Sequence, residues 1–439
     1  MHSLDELRLE SNNQIKINFN GGDLSSDSGL FLIKEFAHKL GFHKLIKKMF
    51  KTNDKANRYH KDDENLCQMI YQILASYFND DDADELTNEP VLNAILEKNG
   101  LASQPTLSRF FNRMDEDTLN QFNCIHKQLR QRIYSIKKPE MVLFDLDSTL
   151  LNTYGEQEGE DFNYHYSAHG YHPLLCYDGL TGDLLKAELR EGSVYSSNGA
   201  VAFMQPLLDE YLQLYPDTAL YMRGDSGFAD PKLFRQAESN GTSYAIRLKA
   251  NQNLYRSALH AENCLDELTV NNKVDYAVVY DEFYYQAGSW GYPRRVVIKV
   301  EKPYNQFNYL YTFIVTNMDL SPEDIIRFYC NRGTMENFIK ESKNGFDFAS
   351  TSSHSKIVNA NRLQLHVLAY NLFNWFKRMV LPTSMRKMQI DTIRLKLFKI
   401  ASRVIRSARY ITFKLCSSCP YQKEFYETFQ NIRLLPKLE

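Results

Sequence analysis

MVLFDLDSTLLNTYG, residues 141–155, is the stretch whose reading decides the fold. It is a short apolar strand punctuated by acids. Asp145 and Asp147 stand two apart, so a strand puts both on one face. Two further strands follow. DTALYMRGDSGF (217–228) ends at Asp225 after a glycine, and in YAIRLKANQ (244–252) Arg247 and Lys249 alternate with Ile246 and Leu248. Between them PKLFRQAESNG (231–241) reads as a helix, which gives a β-α-β rhythm and an α/β fold class. Acids at strand ends in such a sheet point into the crevice where ligands bind. Asp147 and Asp225 converge there if their strands pair.

Outside this core the character changes. Residues 1–138 read mostly as helices, including the basic amphipathic HKLIKKMFK (43–51) and the acidic run DDDADELTNE (80–89). PVLNAILEKNGLASQPTLSRFFNRMD (90–115) reads as helix, turn at Gly100, then helix, with Ser103 as cap and Pro105 in the first turn. Leu107, Phe110, Phe111 and Met114 form the apolar face of the second helix, and Arg109 and Arg113 stand together at i, i+4. A helix-turn-helix that reads DNA and a helical hairpin packed on a neighbour both account for this pattern. Residues 251–321 are β-rich: VDYAVVYDEFYYQAGSW, RRVVIKVEK and YLYTFIVTN alternate with period two. Ser321-Pro-Glu-Asp then opens a helix, and helix continues almost to the end. Between Arg386 and Lys414 a dense basic series meets a single acid, Asp391. A solvated face and a phosphate-facing surface both explain that series.

A chain of 439 residues exceeds what one hydrophobic core supports, so several structural units are expected. Hydrophobic content of 43% and aromatic content of 13% make it globular. The net charge of −2 rules out basicity spread over the whole chain, so any contact with nucleic acid must be local. The seven cysteines are odd in number and unpatterned, as suits reduced thiols. Cys416 and Cys419 form a lone CxxC with nothing to complete a zinc site. His165, His169 and His172 have only loose ligand spacing and read as structural. The start, MHSLDELRLE, has no apolar run and is no signal peptide. LQLHVLAYNLFNWFKRMVLP (363–382) is interrupted by His366, Asn371, Asn374, Lys377 and Arg378, so it is a buried helix and not a membrane span.

YCNRGTMENFIKESK (329–343) sets Tyr329, Arg332, Glu336 and Lys343 at offsets 0, 3, 7 and 14, along one side of a helix. A carboxylate there can hold a divalent metal, and the neighbouring cations can grip phosphate oxygens. Alone, the pattern equally suits a solvated helix with an Arg-to-Glu pair. Asp147 and Asp225 supply the other carboxylates of a two-metal phosphoryl-transfer site.

Two resemblances compete for these acids. VLFDLDSTLL and GDSGFAD are similar to the first and last motifs of the haloacid dehalogenase phosphatases. That resemblance implies Asp145 as nucleophile, Asp147 as general acid, Asp225 and Asp230 as Mg²⁺ ligands and Lys186 as the intervening cation. It leaves Glu336, the β-rich segment and the basic C-terminus without a role. The second resemblance spans nearly the whole chain. Tyr329, Arg332, Glu336 and Lys343 match the Tyr-x2-Arg-x3-Glu-x6-Lys signature of the insertion-sequence-four superfamily of bacterial DDE transposases. FDLDSTLLNTYGEQEG, GYHPLLCYDGLTGDLL, RGDSGF, YAIRLKAN, LASQPTLSR and ANRLQLHVLAYNLF resemble segments of its group-1 DDE-domain members, the thirteen-eighty family.

This second resemblance implies an RNase-H-like catalytic core (139–250 and 322–380) interrupted by the β-rich insertion (251–321). A helical DNA-binding region (1–138) precedes it and a basic helical region (381–439) follows. It implies cut-and-paste transposition, with Asp147, Asp225 and Glu336 holding two Mg²⁺ or Mn²⁺ ions. Tyr329, Arg332 and Lys343 contact phosphates beside the cleaved strand and support a hairpinned end with a flipped base. Trp290 is a candidate platform for that base, or else an aromatic on a strand face. Arg247, Lys249, Arg109 and Arg113 are further candidate DNA contacts. The implied partners are the terminal inverted repeats, target DNA and a second copy of the chain on DNA, with no membrane. The implied location is the bacterial cytoplasm, at the nucleoid. No motif residue is missing, which speaks against an inactive relative.

Overall fold

The computed structural model describes residues 7–272, 276–304, 306 and 308–438. The chain forms two compact units. One comprises Met1–Ile136, Asn344–Ser350 and Gln364–Glu439, and the other Lys137–Lys343 and Thr351–Leu363.

The second unit is built on one mixed sheet of eight strands: β1 (Met141–Ser148), β2 (Leu174–Asp178), β3 (Leu184–Glu188), β4 (Ala219–Gly224), β5 (Ser243–Leu248), β6 (Ala277–Tyr285), β7 (Arg294–Lys302) and β8 (Leu310–Thr316). Their order is β6-β7-β8-β5-β4-β1-β2-β3. β1 runs antiparallel to β2, and β2 to β3, whereas β1, β4 and β5 run parallel. Helix α1 (Ala200–Leu214) links β3 to β4, and α2 (Pro231–Ser239) links β4 to β5. Three antiparallel strands followed by two parallel ones with helical crossovers make the RNase-H-like core. Residues 142–146 of β1 and all of β2 are buried, as continuous apolar runs demand of central strands. Asp230 caps α2 by accepting from the Lys232 amide at 2.8 Å, with Pro231 in the first turn.

The β-rich segment is no separate body. Its last strand, β8, pairs antiparallel with β5, so β6 to β8 extend the main sheet. Two helices, Gln252–Ser257 and Leu259–Asn272, precede these strands. Val274 and Asp275, expected at the start of β6, lie outside the described residues, as do Met1 to Glu6 at the chain's acidic start.

The signature stretch differs from its expected form. Helix α3 (Pro322–Cys330) ends within it, a turn follows at Asn331 and Arg332, and α4 (Gly333–Phe346) begins anew. Ser321 caps α3, accepting from the Asp324 amide at 3.2 Å. Tyr329 and Arg332 therefore precede the helix that carries Glu336 and Lys343.

The first unit has the expected helices Phe42–Met49, Pro90–Leu96 and Gln104–Phe111, with Leu107, Phe110, Phe111 and Met114 buried. It also contains strands. The C-terminal region, expected to be helical, is helical at Ile390–Ile393, Arg394–Phe398 and Gln422–Leu434, but between them Ser402–Arg406 and Ile411–Leu415 form a β-hairpin joined to Leu24–Ser25. Helix Lys356–Val380 is largely buried, and among the described residues no helix is long and apolar enough to cross a membrane. All seven cysteines are free. Residues 364–439 belong with the N-terminal unit, which ends its first segment at Ile136.

Candidate active site

The register of the parallel pair β1 and β4 builds the site. Asp145 stands beside Arg223 and Leu146 beside Gly224. Asp147 and Asp225 are the next residues along their chains, just past the last pair of two strands about 4.8 Å apart. Asp225 Oδ1 accepts from the Gly227 amide at 2.8 Å, which orients this carboxylate at the start of the turn Ser226–Phe228. Asp147 Oδ1 accepts from the Ser148 amide at 2.9 Å, and its Oδ2 lies 2.8 Å from Arg332 Nη2. Burial pushes the Asp147 carboxyl up to about 6. Arg332 draws it down, and the charges of Asp225 and Glu336 push it up. Glu336, exposed in the first turn of α4, thus acts electrostatically on the acid that ends β1.

The three acids share a neighbourhood without forming a finished cage. Among the described residues no three His, Cys, Asp or Glu side chains are grouped so as to hold a metal ion. Arg332 supplies the countercharge on Asp147. The donor chemistry still suits a hard divalent cation. All three acids offer oxygen, and the mutual repulsion that raises Asp147 is what a bound cation relieves.

Tyr329 sits at the edge of a core cluster with Ala245, Ile325 and Ile326. Burial raises its phenol, Arg332 and Arg247 lower it, and Asp225 raises it. Arg247, exposed on β5, therefore belongs to the site's electrostatic field, and Lys249 is exposed just beyond that strand. Lys343 Nζ donates to the Leu150 carbonyl at 2.8 Å and to Thr149 Oγ1 at 3.4 Å, and burial lowers its ammonium. It clamps the segment that follows Asp147.

Trp290 does not offer a stacking surface. It is 6% exposed and meets Phe234 and Tyr285 edge-on, with the Arg294 guanidinium 5.5 Å from its ring. Arg109 and Arg113 lie in the other unit. Arg113 pairs with Asp62 at 2.9 Å and with Asp54 at 3.4 Å, while Arg109 lines an open cleft with Asn57 and Arg58.

The phosphatase assignment fails on geometry. Asp145 has no exposure and receives two hydrogen bonds, from Arg223 Nε at 2.7 Å and Nη2 at 2.6 Å. A carboxylate locked in that way cannot attack a phosphoryl group. Lys186 Nζ donates to the Phe203 carbonyl at 2.8 Å, and Asp230 caps α2.

Sequence reasoning missed three contributors. Arg223 also donates to the Phe328 carbonyl at 2.6 Å, which ties α3 to the sheet. Tyr166 donates to the Ser148 carbonyl at 3.3 Å, and burial and then the charges of Asp147 and Asp225 raise its phenol. Arg190 donates to the carbonyls of Ser196 at 3.1 Å and Asn198 at 2.8 Å, fixing the loop beside Ser148. No spacing marks Tyr166 or Arg190, whereas the RGD triplet contains Arg223.

The family described as transposase DDE domain group 1 matches residues 7–437. No curated protein matches the chain. Among solved structures it is similar to the piggyBac transposase, seen in a synaptic complex with hairpin DNA. That similarity has 13% identity over 84% of this chain and 80% of the other, with a TM-score of 0.43. The family match runs almost from end to end and includes every residue of the site just described, so the chain belongs to the group-1 DDE-domain transposases.

Proposed function

We propose that the chain moves a bacterial insertion sequence of the insertion-sequence-four type by cut and paste, acting at the nucleoid on the element's terminal inverted repeats. Water attacks the phosphorus at each end and the P–O3′ bond breaks, leaving a free 3′-hydroxyl. That hydroxyl then attacks a target phosphodiester and displaces a second 3′-oxygen. Asp147, Asp225 and Glu336 would hold the metal ions. Mg²⁺ or Mn²⁺, two ions per site, would activate the attacking oxygen and stabilise the leaving one. Arg332, Arg247 and Tyr329 face the phosphates beside the scissile bond, and Lys343 holds the Asp147 segment in place. Two copies bring two ends together.

The observation that supports this reading is the effect of Asp225 and Glu336, both of which raise the Asp147 carboxyl, with Asp147 and Asp225 each following directly on the Leu146–Gly224 pair of the β1–β4 register. The test is Glu336→Gln with duplex DNA carrying the repeats that flank the gene, in Mg²⁺. Strand cleavage should be lost and end binding kept. Cleavage at the wild-type rate would remove Glu336 from the chemistry and overturn the proposal.

A further inference from the structure

The basic series near the C-terminus divides in two once its contacts are traced. Arg394 is used inside the fold, donating to the carbonyls of Leu74 at 2.9 Å and Ile73 at 2.7 Å. Lys399 pairs with Asp27 at 2.6 Å. Arg403, Arg406, Arg409 and Lys414, by contrast, are all exposed on the hairpin of Ser402–Arg406 and Ile411–Leu415. No acid occurs between Asp391 and Glu424 to neutralise them locally.

The hairpin is rigidly mounted. Phe413 meets Phe31 edge-on at 4.7 Å, Val404 is buried and its amide donates to the Asp23 carbonyl at 2.9 Å. The turn is closed by the Ser407 amide on the Tyr410 carbonyl at 2.9 Å. Arg409 stands in the turn, and Tyr410 beside it is 73% exposed. Arg403 lies directly opposite Lys414 across the ladder. Like charges so placed repel, and an anion over that face relieves the repulsion. Cations can also guard a free sheet edge against aggregation. That role does not account for the whole pattern, because Arg403 lies where the inner strand is covered by Leu24 and Arg409 stands in the turn.

We propose that this hairpin is a duplex-DNA-binding ribbon that enters the major groove. Strands of this length span about 17 Å, and a two-stranded ribbon fits that groove. Arg406, Arg409 and Lys414 meet phosphates along its walls, and Tyr410 reaches inward. The inference rests on the transposase reading for its choice of DNA as ligand.

The test uses the full chain and a fluorescent mixed-sequence duplex, with anisotropy followed over a salt series. R406A/R409A/K414A should bind at least tenfold more weakly. The slope of log affinity against log salt should flatten by roughly one per phosphate contact removed. R406K/R409K/K414R should keep the wild-type slope. Should the triple alanine variant misfold by circular dichroism, Arg409→Glu in the exposed turn carries the same expectation. Methylation of guanine N7, a major-groove atom, should weaken wild-type binding more than that of the variant. A folded variant with wild-type affinity and slope overturns the proposal, as does insensitivity to N7 methylation. A variant that loses binding only to anionic phospholipid vesicles overturns it too. A wild-type chain that binds no duplex at all overturns the transposase reading along with it, which separates the two failures.

Discussion

Arg332 Nη2 lies 2.8 Å from Asp147 Oδ2, so the acid that ends the first core strand is balanced by a cation from the turn between α3 and α4. The balance is incomplete. Burial and the charges of Asp225 and Glu336 still leave the Asp147 carboxyl at about 6, above the ordinary 3.8.

That excess makes a stability prediction for Asp147→Asn. A folded pKa above the unfolded one means the folded state binds the proton more tightly. The resulting stability is complete below about pH 3.8 and is lost as pH rises through about 6. Above that window the ionised carboxylate costs up to about 3 kcal/mol, at about 1.4 kcal/mol per pH unit. Asp147→Asn should therefore be the more stable protein at mildly alkaline pH, though unable to cleave DNA. Urea denaturation on both sides of the window checks this, and equal stability at alkaline pH would refute it.

Arg332→Ala should move the same group further up, since its nearest cation is gone. The acid limb of the cleavage pH profile should shift to higher pH, and Arg332→Lys should restore part of the shift. An unmoved limb would mean that the ion pair does not tune Asp147.

Buried Asp145 and Arg223 call for a different experiment. Their side chains are 0% and 2% exposed, so Arg223→Ala leaves an uncompensated carboxylate and should cost about 3–5 kcal/mol. Asp145→Asn should lower stability yet leave cleavage per folded molecule within a few-fold of wild type. Complete loss of cleavage in a folded Asp145→Asn protein would return this residue to the chemistry.

The elements legible in the sequence are those whose local signals agree with their surroundings. β1, β4 and β5 are apolar runs ended by turn residues, and α2 carries Asp230 and Pro231 as an explicit start. LLCYD of β2 and LLKAE of β3 are short, mostly buried runs that show neither alternation nor helical period, so they carry no strand signal. The break at Asn331 was masked because helical offsets continue across a tight turn. Gly333 was the available signal. In the C-terminal hairpin the cations obscure the strand signal, although VIR and ITF flanking SARY are β-branched runs around a turn. The three acids could be named from sequence. The Arg332 contact could not, since it depends on a turn that the offsets do not encode.

Trp290→Ala separates packing from DNA contact. The ring fills a space between Phe234 and Tyr285 and lies by Arg294, which makes two hydrogen bonds to Glu238. Its removal should cost about 3–5 kcal/mol in thermal or urea unfolding. DNA affinity of the protein that remains folded should stay near wild type. A selective loss of binding to hairpin ends at unchanged stability would restore the stacking role.

Gly182 links the β2–β3 turn to the helix that carries Glu336. Its φ of +74° is a conformation that side chains resist, and an added Cβ would lie 2.9 Å from the Phe338 ring. Phe338 is two residues beyond Glu336 on α4, and its ring stands 5.9 Å from that of Tyr177, whose hydroxyl bonds Ser342 Oγ at 2.7 Å. Helix α4 is thus seated on β2 through Phe338 and Ser342, and the turn glycine sets how closely it sits. Gly182→Ala should lower stability by about 1–3 kcal/mol through strain and overpacking. Where the ring is displaced together with α4, Glu336 should shift relative to Asp147, and cleavage should fall more than tenfold while duplex binding changes little. Phe338→Leu in the Gly182→Ala background makes room for the methyl and should recover part of the cleavage. If the single variant cleaves normally, or the second substitution gives no recovery, the seating of α4 does not control the placement of Glu336.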